Sequence, residues 1–200
     1  SVSGNSSLGG NGNVTISRNG DLVNKIYVTC PGKDVTSGNK IIKEVELEIG
    51  GQKIDTHTQE WMDVVNELTL PEEKAHAFKV MTGSGQTGDM VEGGGDHIDR
   101  NNSASVGMVQ VPLQFWFCRN PGLALPLIAL QYHEVKLKFS WGSKSDVLVA
   151  NSKETPSIKV VCDYVYLDTD ERRRFAQVSH EYLIEQVQTQ RAEGQSNKLN

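Results

Sequence analysis

Residues 134 to 141 read EVKLKFSW, with Val135, Leu137, Phe139 and Trp141 alternating strictly against Glu134, Lys136, Lys138 and Ser140. Successive side chains of an extended chain point to opposite faces, so the pattern demands a strand with one dry face and one wet face. It recurs along the chain. Val45, Leu47 and Ile49 alternate with Glu44, Glu46 and Glu48, which predicts a half-buried strand with an exposed acidic outer face. Val109, Val111, Leu113, Phe115 and Phe117 predict one strand running from Met108 to near Cys118, with Gln110 and Gln114 opposite. Val14 and Ile16 form a shorter run, and Leu22, Ile26, Val28 and Cys30 are expected to share one face of the next. Residues 157 to 168 are apolar on both faces through much of their length.

The turns supply the connections. Asn19-Gly20 suits the positive φ angles of a tight hairpin, and Gly50-Gly51 marks a second one. Pro121 presets φ for a turn in which Gly122 takes a positive φ, and Pro126 keeps the apolar run that follows from becoming a regular strand. The opening SVSGNSSLGGNG reads as a loop. Between the strands the period changes. Thr58 can cap a helix carrying Trp61, Val64, Val65 and Leu68 at helical spacing, and Pro71-Glu72-Glu73 opens another with Ala75 and Phe78. Residues 82 to 107 are Gly, Asp, Asn and Ser rich and read as an exposed excursion, and TQRAEGQSNKLN at the end reads as disordered. Strands dominate, there is no alternating βαβ rhythm and no internal repeat, so the expected fold is all-β, an antiparallel sandwich or barrel with a short helical insertion.

Several motifs could carry chemistry. GSGQTG at residues 83 to 88 matches a dinucleotide-binding pattern, but the mechanism needs a strand before it and a helix after it, and here a helix precedes it. Asp96, His97 and Asp99 offer oxygen and nitrogen ligands with no spaced His or Cys to complete a zinc set. His133-Glu134 and His180-Glu181 lack the i, i+4 pair of a zinc hydrolase, and Gly32-Lys33 lacks the earlier glycine of a P-loop. No nucleophile elbow is present. The reading therefore assigns no catalytic, cofactor-binding or metal-binding residue. Asn5, Asn13 and Asn101 stand in glycosylation sequons whose use the sequence leaves open. A net charge of −5 argues against general nucleic-acid binding, and no apolar run approaches the roughly 18 residues of a membrane span. Cys30, Cys118 and Cys162, each in an apolar run, fit free thiols in a reducing compartment. Starting at Ser1 without a secretory pattern, the 200 residues read as a fragment or processed chain.

Four separated stretches then point further. FWFCRNPGLALPLIALQYHEVKL (115 to 137), ISRNGDLV (16 to 23), VELEIGGQKID (45 to 55) and DYVYLDTDERRRFAQVSHEYLIEQVQ (163 to 188) resemble, in order, the major capsid proteins of large icosahedral nucleocytoplasmic DNA viruses of the iridovirus and phycodnavirus kind. The resemblance implies a jelly-roll β-sandwich over residues 1 to 178, with a first strand expected before Ser1. It implies that residues 179 to 200 begin the passage to a second jelly roll. It further implies a non-enzymatic shell protein without cofactors, found in the virion and assembled in the host cytoplasm. Its partners would be copies of itself in trimeric pseudo-hexagonal capsomers, neighbouring capsomers and minor capsid proteins. A ligand-binding jelly roll, lectin-like or a cupin-type metalloenzyme, is the alternative from another class; a cupin needs His and Glu clustered in one barrel, whereas the five His here are scattered.

Overall fold

The computed structural model describes residues 3–4, 6–32, 34–83 and 107–189. In chain order the strands are β1 (Ser3–Gly4), β2 (Asn11–Thr15), β3 (Leu22–Pro31), β4 (Ile42–Ile49), β5 (Gln52–Thr58), β6 (Met108–Pro112), β7 (Leu125–Pro126), β8 (Val135–Trp141) and β9 (Lys159–Val165). The α-helices are α1 (Gln59–Thr69), α2 (Glu72–Thr82), α3 (Trp116–Arg119), α4 (Lys144–Val147) and α5 (Thr169–Gln177). One sheet has the order β1-β2-β8-β4-β5. In the other, β3 pairs with β6 and β7 along one edge and with β9 along the other. Every pairing among the described strands is antiparallel.

The alternation in β8 is what joins the layers. Leu137 lies between Val14 of β2 and Leu47 of β4, Phe139 is opposite Val45, and all of these are buried. Ile26, Val28, Cys30, Val109 and Val111 of the second sheet close the same core from the opposite side. This is the expected sandwich. Val111, Leu113, Phe115, Val135, Leu137 and Phe139 are all inside, and burying each such side chain contributes about 1.5 to 3 kcal/mol.

Local expectations fare unevenly. Gly50 and Gly51 do turn the β4–β5 hairpin, at φ +59° and +83°, and Thr58 caps α1 through the Trp61 amide. Asn19-Gly20, by contrast, is no hairpin: β2 and β3 belong to different sheets, and neither residue has a positive φ. Gly20 is required by proximity instead, because a β-carbon there would lie 2.7 Å from Tyr164 Cβ. A bulge between Val23 and Lys25 shifts the phase of β3, so Val23 and not Leu22 turns fully inward. Within the opening stretch, expected to be a loop, Ser3–Gly4 pair with β2 and Leu8 is buried.

The strand from Met108 ends at Pro112. One turn of helix follows, which brings Phe115, Trp116 and Phe117 inside together where continued alternation would have turned Trp116 out. Pro126 does not keep its segment out of a sheet: Leu125 and Pro126 pair with Val23 and Leu22, in a strand only two residues long. Gly122 sits in a short 3-10 turn without a positive φ, its amide donating to Asn120 Oδ1 at 2.9 Å. The acidic face of β4 is not exposed as expected: Glu46 and Glu48 are largely covered, at 22% and 14% side-chain exposure. Lys138 across the strand pair bonds both carboxylates, and Lys53 also pairs with Glu46 at 3.4 Å. The excursion falls largely on residues 84–106, and the tail on 190–200, both outside the described residues.

Candidate functional site

The motif residues do not converge. Gly83 ends α2 in the left-handed conformation at φ +66°, while the rest of GSGQTG, together with Asp96, His97 and Asp99, lies outside the described residues, as do Lys33, Asn5 and Asn101. His133 is exposed beside Gly50, and Glu134 pairs with Lys136 at 2.7 Å. The His180 ring stacks on Phe175 with centroids 4.4 Å apart, and its Nε2 lies 3.1 Å from the Phe175 carbonyl oxygen. Asn13 is exposed on β2. Among the described residues no group of three His, Cys, Asp or Glu could hold a metal ion.

Among the described residues, two surface clefts stand out. The first, of about 290 Å³, lies between Ser17, Leu127 and Glu134. Its Arg18 guanidinium is already spent on the carbonyls of Leu130 at 2.8 Å and His133 at 3.2 Å. The second, of about 260 Å³, separates α1 and α2 from β3 and is lined by Tyr27, Phe78 and Met81. Gln114 donates to Asn66 Oδ1 there at 2.7 Å.

That bond sets the phase of α1. Asn66 turns inward beside Met62 and Val65, so the helical stripe visible in the sequence is only partly used by the domain. Val64 is left 49% exposed and Leu68 80%. Val161 and Val165 of β9 also face outward, as do Tyr166, Leu183 and Ile184 beyond it. Apolar surface turned to solvent in several places marks contact with other protein more readily than chemistry.

One buried polar group does stand out, and the sequence reading passed over it. Asp55 and His57 alternate on β5, with His57 Nε2 3.0 Å from Asp55 Oδ2. Burial pushes the Asp55 carboxyl up, but the imidazole and the Val187 amide together hold it below its ordinary value. The ring stacks on Phe115 at 4.5 Å, with Trp61 at 6.5 Å. A carboxylate that orients an imidazole is a device of general-base catalysis, yet His57 is 2% exposed, and a substrate could reach it only by opening the sheet edge. The signal was a strand carrying two ionisable residues at spacing two, where an apolar face was due.

The described residues contain no helix long and apolar enough to cross a membrane. Comparison with known proteins gives a consistent picture. The major capsid protein of Pyramimonas orientalis virus is 47% identical over 192 residues, covering 92% of this chain and 47% of that protein. That of Phaeocystis pouchetii virus is 40% identical, covering 87% and 42%. A quasi-atomic model of the PBCV-1 virus capsid superimposes with a TM-score of 0.73 at 38% identity, over 94% of this chain and 46% of that one. The chain thus spans about half the length of the relatives it matches, its fold is the jelly roll of these capsid proteins, and the lectin and cupin readings are not favoured. Residues 1–168 match the family described as the major capsid protein N-terminus, and the chain belongs to that family.

Proposed function

We propose that this chain is the first jelly roll of a major capsid protein and serves as a structural subunit of an icosahedral shell. The observation that carries the reading is the match to the family over residues 1–168 on a sandwich with apolar side chains turned outward on α1, β9 and the segment after α5. Such a subunit works by shape and contact. It needs a rigid core and complementary faces, and no reactive group. The first domain ends with α5 at about residue 178, and residues 179–200 lead towards a second jelly roll. Trimeric pseudo-hexagonal capsomers, contacts with neighbouring capsomers and minor capsid proteins, and assembly in the host cytoplasm complete the proposal. The same contacts make an enzymatic role unnecessary.

Light scattering, metal analysis and glycan-array binding on the purified chain test it. A metal-free chain that self-associates with rising concentration and ignores glycans is expected. A metal-bearing monomer, or one that binds a sugar at micromolar concentration, would overturn the reading.

A further inference from the structure

The buried pair on β5 is bonded to the segment by which the chain leaves the sandwich. Asp55 Oδ1 accepts from the Thr56 amide at 2.8 Å and from the Val187 amide at 3.0 Å, while Oδ2 faces His57. Beside it, Gln186 Nε2 donates to the Ile54 carbonyl at 2.6 Å, and Arg119 of α3 reaches Glu185 at 2.5 Å. Three successive residues are therefore tied by polar contacts to β5 and α3. Leu183, just before them, is 78% exposed, so apolar burial contributes little to holding this stretch in place. β5 is also the edge of its sheet, and an edge strand offers backbone groups for pairing with other chains. Residues 185–187 take up part of that edge.

We infer that Asp55, held by His57, is a positioning residue that fixes the course of residues 185–187 along the β5 edge and so sets the direction in which the chain departs from the domain. The inference deepens the proposed function, because that reading places the passage to a second jelly roll here. The chemistry is that of a buried carboxylate, which must be surrounded by donors. Thr56 and His57 supply them from its own strand, and Val187 supplies one from the departing segment. Moving the segment would remove a donor from a charge that water cannot easily reach. An exposed ion pair exerts no such hold, and Glu185, at 69% side-chain exposure, is of that weaker kind.

The test uses the full 200-residue chain. Val187→Pro removes the donated hydrogen without touching β5, and Asp55→Asn removes the charge. Glu185→Ala removes only the exposed pair. Chymotrypsin cleavage between residues 182 and 188 and hydrogen exchange along β5 are read beside the thermal midpoint. Val187→Pro is expected to raise cleavage about tenfold or more, the loss of a bond to a charged acceptor, with the midpoint nearly unchanged. Asp55→Asn opens the same segment and also lowers the midpoint, and Glu185→Ala changes cleavage by less than about threefold. Cleavage of Val187→Pro within twofold of the parent would overturn the inference. So would a Glu185→Ala effect as large as that of Val187→Pro, or faster exchange spread equally over β3 and β8. Assembly is not read in these measurements, so their failure is separate from failure of the shell reading.

Discussion

Replacing Gly20 by alanine tests whether this glycine is kept for its backbone or for its neighbour. The added β-carbon would lie 2.7 Å from Tyr164 Cβ and 3.2 Å from Cδ1, about an ångström inside normal carbon contact. The nearest atom is at the root of the side chain, so the ring cannot simply swing away. Overpacking of this kind costs about 1 to 3 kcal/mol. Displacing the ring also stretches the bond from the Tyr164 hydroxyl to the Ser17 carbonyl at 2.8 Å, worth about 1 kcal/mol. Because φ at Gly20 is not positive, alanine recovers about 0.4 to 1 kcal/mol through the unfolded chain. The net loss is about 1 to 3 kcal/mol, or a fall of roughly 0.5 to 1.5 M in the urea midpoint at an m-value of about 2 kcal/mol/M. Urea unfolding of the parent, Gly20→Ala, Tyr164→Gly and the double variant closes a cycle. In the Tyr164→Gly background, which removes the clashing β-carbon, the Gly20→Ala penalty should vanish. An equal penalty in both backgrounds would refute the packing argument and return the cost to the backbone.

Phe115→Ala should destabilise by about 3 to 5 kcal/mol, since the ring is fully buried between His57 and Phe117; a urea midpoint close to the parent's would contradict that packing. Burial pushes the thiols of Cys30 and Cys162 up to about 11 and that of Cys118 up to about 12, so iodoacetamide at pH 8 should label all three slowly in the folded chain and quickly in urea; recovery of a bonded pair under non-reducing conditions would contradict this. The Leu167 amide and, against some burial, Arg172 hold the Asp21 carboxyl below its ordinary value. The stability it contributes is present above the ordinary carboxylate range near about pH 4 and is lost as pH falls through the depressed value, so Asp21→Asn should flatten the acid limb of the urea midpoint against pH. Gly122→Ala should change the stability read from urea unfolding by less than about 0.5 kcal/mol, because the residue has no positive φ and its β-carbon would press only on Asn120 Oδ1 at 3.3 Å.

What could be read from the sequence was what depends on neighbours one or two residues away. The alternation of β8 and the Gly50-Gly51 hairpin are local, and both hold. What failed depends on partners far along the chain. Whether residues after Asn19-Gly20 fold back or cross to the other sheet is decided by β8 and β9, which pair with β2 and β3 from more than a hundred residues away. The face of α1 is set by Gln114, the end of β6 by the stacking of Phe115 on Phe117, and the covering of Glu46 and Glu48 by Lys138. The Asp55–His57 pair was overlooked for the same reason, since its meaning comes from Val187.

The pairing of β2 with β8 joins Asn11 to Ser140, and that of β3 with β9 joins Leu22 to Val165. A ribosome adding about 5 to 20 residues per second needs roughly 6 to 30 seconds to pass from one partner to the other. Throughout that interval Val14, Val23 and Val28 have been made and the strands that will cover them have not. Contacts so distant in sequence also slow the search once the chain is complete. The domain therefore spends its first moments as sticky, unpaired strands in a crowded cell, and its yield should rest on chaperones that shield the early strands until β8 and β9 emerge.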